Sequence, residues 1–325
     1  MMGTMTYREA VVLAQREALA RDPAVMIMGE DIGAPGGPFK TTEGLFEEFG
    51  PDRVRDTPIS ENAFVGAALG MAVTGGRPIV EIMFADFMGV CFDQIVNSIA
   101  KHRFMCGGKV AAPLAIRAMG GGGVRFGAQH SQTGESWMYQ HPGLKVYCPA
   151  TPADAYELLS AAIADIDPVI VLEHKALMAT KGEVETPADP AAVAIGPQVL
   201  REGKDVTLVG SLAMVRRCLD AAEQLAGQGI EAEVINLRVL RPLEPAAIFD
   251  SVRKTGRLVT VEEAHPAGGW SGDIIADTMV HAFDFIDAPP VRLTLPDWPM
   301  PYSPALEDAA LPSVERIVAA VTDGH

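Results

Sequence analysis

A carboxylate at the start of a predicted helix is the first candidate for chemistry. Glu61 ends the segment DTPISE (residues 56–61) and comes shortly after Pro58, which favours an extended backbone before it. The following residues, 62–76, are uncharged and rich in glycine and alanine, which predicts a buried helix. Glu61 either complements the dipole of that helix or enters an apolar environment, where a carboxyl group can share a proton with a ligand nitrogen.

A histidine in a polar loop is the second candidate. His130 lies in the segment QHSQ (residues 129–132), downstream of the glycine run at residues 120–123. The loop is expected at the carboxyl end of a strand, where α/β sheets bind ligands. A single histidine is also compatible with a purely structural role. The stretch EIMFADFMGVCFD (residues 81–93) contains phenylalanines that spacing alone assigns to the core.

The common nucleotide and hydrolase signatures are missing. The sequence has no G-x-x-x-x-G-K-[ST] and no G-x-S-x-G segment. The segment GQGIEA (residues 227–232) has Rossmann-like spacing, but it follows a predicted helix and precedes a predicted strand, the reverse of the required order. Cysteines are scattered at Cys91, Cys106, Cys148 and Cys218, which argues against a disulfide framework or a zinc site.

Length and charge exclude several classes of protein. The 325 residues suggest about two domains, and 26 Lys+Arg against 42 Asp+Glu give a formal net charge of -16. This balance argues against binding to nucleic acid or to an anionic membrane surface. The uncharged run 62–76 is shorter than the about 20 residues that a membrane helix needs. We expect the bacterial cytoplasm or an organelle matrix, where thiols stay reduced.

Helices and strands alternate along the chain. Thr6 and Glu9 form a capping-box pattern that predicts a helix over residues 6–21. Ser60 is the predicted N-cap of the helix that carries Glu61, and a long helix is predicted over residues 86–103.

The alternation predicts an α/β protein with a mostly parallel sheet and helices on both faces. It is interrupted by a stretch rich in glycine and proline. The predicted domains are residues 1–185 and 204–325, with a linker over residues 186–203.

A series of segments runs in order along nearly the whole chain: GED (29–31), DTPISE (56–61), EIMFADF (81–87), FDQIVNSIAK (92–101), AQHSQ (128–132), HPGLKV (141–146), KTGRL (254–258) and MPY…LED within 297–308. Together they resemble the E1 β subunits of the 2-oxo acid dehydrogenase complexes. Residues 104–113, Arg117 and residues 173–175 are most similar to the acetoin dehydrogenase β subunit. The MPY segment is more similar to pyruvate dehydrogenase, so pyruvate, a branched-chain 2-oxo acid and acetoin stay open as substrates.

The resemblance implies a thiamine-diphosphate enzyme, with a transketolase-like pyrimidine-binding domain followed by a transketolase C-terminal α/β domain. It implies that Glu61 holds the N1′ nitrogen of the aminopyrimidine, that Met83 and Phe87 line this ring, and that His130 serves acyl transfer to lipoamide. Some family members bind a structural potassium ion, K⁺, largely through backbone carbonyls. The matching positions are Leu114, Ala162, Ile163, Asp165 and Asp167, of which Asp167 replaces a frequent asparagine.

The diphosphate half of the cofactor site is missing from the sequence. Family enzymes hold the diphosphate through Mg²⁺ with a Gly-Asp-Gly segment and a later asparagine. The one Gly-Asp pair here, Gly272-Asp273, has no asparagine after it, since the asparagines are Asn62, Asn97 and Asn236. The resemblance therefore implies that Mg²⁺ binds on an α subunit, in an α2β2 heterotetramer with a β–β contact.

Further partners are implied by the same resemblance, namely the lipoyl domain and the core of an E2 acyltransferase.

One alternative function is that of a non-catalytic scaffold that docks the complex core. The presence of Glu61, Phe87 and His130 together argues against it. Another is a self-contained transketolase-type enzyme, which the missing Mg²⁺ segment argues against.

Overall fold

A computed structural model describes residues 2–187 and 189–323 of the chain. For Met2 the description covers the backbone alone. The predicted domain limits at residues 1 and 325 lie outside this part, as does residue 188 of the predicted linker. The fold consists of two α/β units in sequence, as the alternating pattern predicts.

The first unit alternates strands with helices through residue 185. Its elements are β1 (Met2–Thr6), α1 (Tyr7–Arg21), β2 (Val25–Gly29), α2 (Leu45–Phe49), β3 (Val54–Asp56), α3 (Glu61–Val73), β4 (Arg77–Ile82), a 3₁₀ helix (Ala85–Gly89), a π-helix (Gln94–Ile99), α4 (Ala100–Met105), β5 (Ala115–Gly120), α5 (Glu135–Tyr139), β6 (Lys145–Tyr147), α6 (Pro152–Ala164), β7 (Val169–His174), a 3₁₀ turn (Lys175–Leu177) and β8 (Lys181–Glu185).

The second unit repeats this alternation after a short 3₁₀ turn at Pro190–Ala192. Its elements are β9 (Gln198–Arg201), β10 (Val206–Gly210), α7 (Ala213–Ala226), β11 (Ala232–Asn236), β12 (Val239–Arg241), α8 (Ala246–Thr255), β13 (Leu258–Val261), α9 (Trp270–His281), a 3₁₀ turn (Phe283–Phe285), β14 (Val291–Leu293), α10 (Pro304–Ala310) and α11 (Val314–Thr322).

The large sheet has the order β12-β6-β7-β5-β4-β2-β3. Every neighbouring pair is parallel except β12 with β6, which is antiparallel. Because β12 comes from the second unit, the two units share one sheet edge. The other six strands of the large sheet are parallel, so their carboxyl ends all lie at the same end of the sheet, where ligand sites form in such sheets.

The second sheet has the order β14-β13-β10-β11-β9, with β9 antiparallel to β11 and the other pairs parallel. Strand β9 falls inside the predicted linker of residues 186–203. We therefore propose that the second domain begins at about β9. Strands β1 and β8 form a separate antiparallel pair that ties the start of the first unit to its end.

Local chemistry explains the helix starts. Thr6 caps α1, and its hydroxyl and backbone N–H both pair with Glu9, so the predicted capping box is confirmed. The prediction for Ser60 is wrong in one respect. Ser60 precedes α3, but its side chain makes no capping hydrogen bond, and its backbone has φ −165 and ψ 75.

The long helix predicted over residues 86–103 is wrong as a single element. The chain instead forms the 3₁₀ helix Ala85–Gly89, the π-helix Gln94–Ile99 and the short α4. Backbone bonds from Phe87 to the Phe84 carbonyl and from Val90 to the Phe87 carbonyl close tight turns that an α-helix would not contain. This irregularity places the Phe87 side chain next to the predicted site.

Helix α3 is only partly buried, in contrast to the prediction. Phe64, Val65 and Ala68 pack into the core, whereas Ala63 and Ala67 are exposed on the other side. None of the helices in residues 2–187 and 189–323 combines the length and apolar character that a membrane span requires.

The hydrophobic core is continuous between the two units. One cluster of buried side chains contains Val146 and Leu172 of the first unit together with Ile235, Leu240 and Trp270 of the second. A second cluster lies under α1 and α6, on the other face of the large sheet. These buried contacts hold the two units together.

Candidate active site

The predicted site residues follow the carboxyl ends of neighbouring parallel strands. Glu61 comes shortly after β3, Met83 directly after β4, and His130 after β5. Glu30 directly follows β2, and Lys175 directly follows β7. Parallel pairing of these strands places all five residues at one edge of the sheet.

Glu61 is a buried carboxylate, 6% exposed, at the first position of α3. Its carboxylate accepts no hydrogen bond from the residues that the structure describes. Burial and the neighbouring charges of Glu61 and Asp31 raise the pKa of Glu30, so Glu30 takes up a proton more readily than an exposed glutamate does. Glu30 Oε1 is itself buried and, within the described residues, has no hydrogen-bond partner.

A thiol also lies near Glu61. Burial and the Glu61 charge raise the pKa of Cys91 to about 12. Cys91 therefore stays protonated near neutral pH and does not act as a nucleophile. All four cysteines are free thiols in the structure.

An aromatic cluster surrounds His130. The imidazole is edge-on to Phe84 and to Phe87, with ring centroids 4.6 Å and 5.4 Å away. Phe84 in turn contacts Phe126 and Phe39, at 5.8 Å and 5.7 Å. These side chains fix the plane of the imidazole and keep water away from one side of it.

Lys175 supports the backbone of His130. Its ammonium group donates a hydrogen bond to the His130 carbonyl and lies 5.5 Å from the Phe84 centroid and 5.4 Å from the Phe126 centroid. Burial lowers the pKa of Lys175 to about 8, although the charge of Asp86 opposes the change. The spacing of residues in the sequence did not identify Lys175 as a site residue. The available signal was a cation placed directly after a buried strand.

Residues 121–130, here called the His130 loop, connect β5 to the aromatic cluster. Gly121 begins the loop with φ +85, and a Cβ atom there would lie 1.9 Å from His174 Nε2, so only glycine fits. Gly121 N–H donates to the Gln132 carbonyl, and the Gln132 side chain donates to Asp86 at 2.9 Å. The loop is thereby folded back toward the 3₁₀ helix that carries Phe87.

A buried charge cluster underlies the edge of the sheet. Arg117 of β5 binds Glu173 of β7 through two hydrogen bonds of 2.6 Å and 2.8 Å, and Glu81 of β4 through one of 2.5 Å. Glu81 also accepts a hydrogen bond from Thr41, which fixes the loop after β2. Because paired charges with satisfied hydrogen bonds hold a fixed geometry, this cluster fixes the spacing of the strands that carry the site.

The carbonyls predicted to bind K⁺ lie away from this edge. Arg77 Nη1 donates to the carbonyls of Ile163 and Asp165, at 2.7 Å and 2.9 Å. The Leu114 carbonyl accepts a hydrogen bond from the backbone of β7, and the Asp167 carboxylate pairs with Arg103 at 2.6 Å. Ala162 is buried in α6. The structure thus brings Ile163 and Asp165 together around one cationic nitrogen atom.

Two cavities in the described part of the chain do not include the predicted catalytic and cofactor-binding residues. One cavity, of about 1170 Å³, lies between α4 and α9, and another of about 690 Å³ lies between Ser131 and Trp298. Neither is lined by Glu61, Phe87 or His130. Within the described residues, no group of three or more His, Cys, Asp or Glu side chains is placed to hold a metal ion.

Family comparisons agree with this architecture. Residues 3–181 match the transketolase pyrimidine-binding domain, and residues 197–317 match the transketolase C-terminal domain. A solved structure described as a split-gene transketolase, an inactive β4 tetramer, matches with a TM-score of 0.77 and 26% identity over 99% of this chain and 98% of that chain. The fold and these family matches together therefore define a thiamine-diphosphate-dependent chain of the transketolase type.

Two curated relatives specify the family. The chain is 47% identical over 331 residues to the β subunit of acetoin:2,6-dichlorophenolindophenol oxidoreductase from Cupriavidus necator, covering 97% of both chains. It is 44% identical over 321 residues to the β subunit of the pyruvate dehydrogenase E1 component from Rhizobium meliloti, covering 98% of this chain and 70% of that one. The chain belongs to the family of E1 β subunits of thiamine-diphosphate-dependent 2-oxo acid and acetoin dehydrogenases.

Proposed function

We propose that Glu61 holds the N1′ nitrogen of the aminopyrimidine of thiamine diphosphate, and that Met83 and Phe87 line this ring. The observation that carries the proposal is the buried Glu61 carboxylate, which accepts no hydrogen bond from the described residues. A buried carboxylate is stabilised by a hydrogen-bond donor, and a ligand N–H group supplies one. The partly buried Phe87 packs against the core nearby. These residues therefore fit the aminopyrimidine.

Proton transfer is the task of Glu61 in this proposal. When bound, the cofactor supplies the nucleophilic carbon that attacks the substrate carbonyl. Glu61 shares a proton with N1′, and Glu30, whose pKa is raised by burial and by the Glu61 charge, lies close to it. Low local polarity strengthens that hydrogen bond. His130, held by the aromatic cluster and by Lys175, is proposed to serve acyl transfer to lipoamide.

An α subunit is proposed to supply the Mg²⁺ and diphosphate half of the site, in an α2β2 tetramer. Exposed apolar side chains support a covering partner: Ile59, two residues before Glu61, is 87% exposed, and Val90, next to Cys91, is 59% exposed. The exposed small residues of α3, such as Ala63 and Ala67, permit close approach of another helix.

A β–β contact and an E2 partner complete the proposed assembly. Val280 and Phe283 of the second unit are 75% and 63% exposed, which supports a contact through this domain. The lipoyl domain and the E2 core are proposed from the family relationship. The four free thiols support a reducing compartment, either the bacterial cytoplasm or an organelle matrix.

A structural K⁺ ion is proposed at the carbonyls of Leu114, Ala162, Ile163, Asp165 and Asp167. The Ile163 and Asp165 carbonyls converge on one position, which suits a cation, but the Arg77 guanidinium fills it, so K⁺ binding there would require the Arg77 side chain to move away. Melting temperatures measured in KCl and in NaCl at equal ionic strength test it. Equal melting temperatures would argue against a specific K⁺ site.

The chain alone should bind thiamine diphosphate weakly and should not turn over substrate. Diphosphate carries most of the cofactor's charge, so its anchors on the α subunit should supply much of the affinity. Calorimetry with thiamine diphosphate and Mg²⁺, with and without the α subunit, measures this difference. Assays of the reconstituted pair with pyruvate, a branched-chain 2-oxo acid and acetoin then identify the substrate. Micromolar binding and turnover by the chain alone would contradict the divided site.

Glu61→Gln should retain cofactor binding in the reconstituted enzyme but slow exchange of the cofactor C2 proton by about 10²–10⁴-fold. Glutamine keeps the shape of the side chain and removes the titratable proton. NMR of the exchange gives the rate directly. Glu135→Gln is the matched control, because Glu135 is also a buried carboxylate at the first position of a helix. Unchanged exchange in Glu61→Gln would contradict the assignment.

A further inference from the structure

The second domain reaches the His130 loop through two glutamates. Glu263 follows β13, and its Oε1 accepts a hydrogen bond of 2.5 Å from the Gly122 backbone. Glu307 lies in α10, and its Oε1 accepts a hydrogen bond of 2.7 Å from the Gly123 backbone. Both glutamates are buried, at 3% and 0% exposure, and neither has a role in the mechanism proposed above.

Glu263 binds donors from the first domain with both oxygen atoms. Its Oε2 lies 2.9 Å from His174 Nε2, and His174 Nδ1 accepts a hydrogen bond from the Ala176 backbone. This second bond places the imidazole proton on Nε2, which donates to Glu263. Although burial opposes ionisation, His174 and the Gly122 N–H hold the pKa of Glu263 below its usual value.

Glu307 binds the loop at Arg125 as well as at Gly123. The Arg125 guanidinium lies 2.6 Å from Glu307 Oε2, and the Arg125 backbone N–H lies 3.2 Å from the same oxygen atom. Arg125 has φ +67, a left-handed conformation that a non-glycine residue adopts only when its surroundings hold it there. The next residue, Phe126, contacts the aromatic cluster around His130.

These contacts matter because the His130 loop lacks regular structure and begins within a glycine run. Glycine residues give the backbone many accessible conformations, so the loop needs external anchors to hold one of them. Glu263 and Glu307 fix its first half, and Lys175 fixes its end at the His130 carbonyl.

We propose that Glu263 and Glu307 are positioning residues, through which the C-terminal domain sets the location of His130 for acyl transfer to lipoamide. The proposal rests on the proposed role of His130. A group displaced by about 1 Å can lose about 10²-fold in rate, so loss of either anchor should slow the acyl-transfer step. The earlier steps at Glu61 should change much less, since neither glutamate bonds to the elements that carry Glu61.

Glutamine substitutions test the anchors with little change in shape. Each glutamate uses both carboxylate oxygens, whereas glutamine has one acceptor oxygen, so one donor of the loop or of His174 loses its partner. Glu262→Gln is the matched control. Glu262 is equally buried, but its bonds to Ser271 and Arg292 stay within the second domain.

Two activities are measured with the reconstituted α–β enzyme: reduction of 2,6-dichlorophenolindophenol, and acyl transfer to a lipoyl domain. Glu263→Gln and Glu307→Gln should lower the ratio of acyl transfer to dye reduction by about 10–100-fold. Glu262→Gln should leave the ratio unchanged even if its melting temperature falls. An unchanged ratio in both loop-anchor variants would overturn the proposal. If these variants do not fold, Arg125→Gln, at the partly exposed end of the Glu307 contact, should show the same change in ratio.

Hydrogen exchange separates this proposal from the role of His130 itself. The backbone N–H groups of Gly122 and Gly123 should exchange at least about 10-fold faster in Glu263→Gln and Glu307→Gln, and at the wild-type rate in Glu262→Gln. Unchanged exchange would overturn the positioning role. If His130→Ala lowers both activities equally while exchange in the glutamine variants accelerates, the anchors are real but the proposed function of His130 is wrong.

Discussion

Lys175→Met should make the fold more stable at pH 7 while lowering activity. The pKa of Lys175 falls from its usual 10.5 to about 8, because the side chain is buried and the charges of Asp86, Glu263 and Glu307 compensate only in part. This difference corresponds to about 3 kcal/mol of unfavourable free energy for the charged form in the folded chain. Methionine keeps an unbranched apolar side chain, one atom shorter than that of lysine, and removes the charge.

The expected gain in unfolding free energy from Lys175→Met is smaller than the full cost of the buried charge. Lys175→Met also loses the hydrogen bond to the His130 carbonyl, worth about 1–1.5 kcal/mol. The expected gain is therefore about 1–2 kcal/mol at pH 7. Because the pKa is lower in the folded than in the unfolded state, the unfolded state binds more protons between about pH 8 and pH 10.5. Wild-type stability consequently rises relative to the variant over this range.

Urea unfolding at a fixed chain concentration, at pH 7 and again at pH 9.5, measures both effects. The advantage of Lys175→Met should be present at pH 7 and should shrink at pH 9.5. Lys145→Met serves as the control, because Lys145 pairs with Asp165 and is partly exposed, so its loss should not stabilise the chain. A variant that is less stable than wild type at pH 7, or a difference that does not change with pH, would refute the reasoning.

Two further predictions concern stability. Burial raises the pKa of Glu135 to about 7, so the wild type should lose stability as pH rises from about 4.5 to 7. Glu135→Gln should remove this loss and add up to about 3 kcal/mol to the unfolding free energy at pH 8. Urea unfolding midpoints measured across this pH range test the prediction. Gly121→Ala should lower the melting temperature far more than Gly229→Ala, because both glycines have a positive φ but only the Cβ at Gly121 meets another side chain, that of His174. An equal fall in melting temperature in the two alanine variants would mean that the His174 side chain moves away from the new Cβ atom at little cost.

Sequence patterns sufficed where the determining contacts are local. The capping box of Thr6 and Glu9 spans one helical turn, and the structure confirms it. Glu61 could be singled out because its strand, its extended connection and its helix follow one another directly. Alternation of strands and helices likewise specified both α/β units, since each unit forms from neighbouring segments.

Long-range contacts explain what the sequence could not show. Lys175 bonds to a carbonyl 45 residues away, and Glu263 and Glu307 reach backbone groups 141 and 184 residues away. No periodicity encodes such pairings. The helix predicted over residues 86–103 breaks because contacts of Phe84 and Phe87 with His130 favour a tight turn over continuous α-helical bonding. Strand β9 was hidden in the predicted linker because its pairing partner, β11, follows much later in the chain.

Strand β12 has a consequence for how the chain is made. It belongs to the second unit, yet it pairs antiparallel with β6 and covers one border of the large sheet. During synthesis the first unit leaves the ribosome with that border unpaired until residues 239–241 follow. An unpaired strand border is a template for association with another chain. The second unit therefore covers this border only once it has been made, and a gene split between the two would have to provide another means of covering β6.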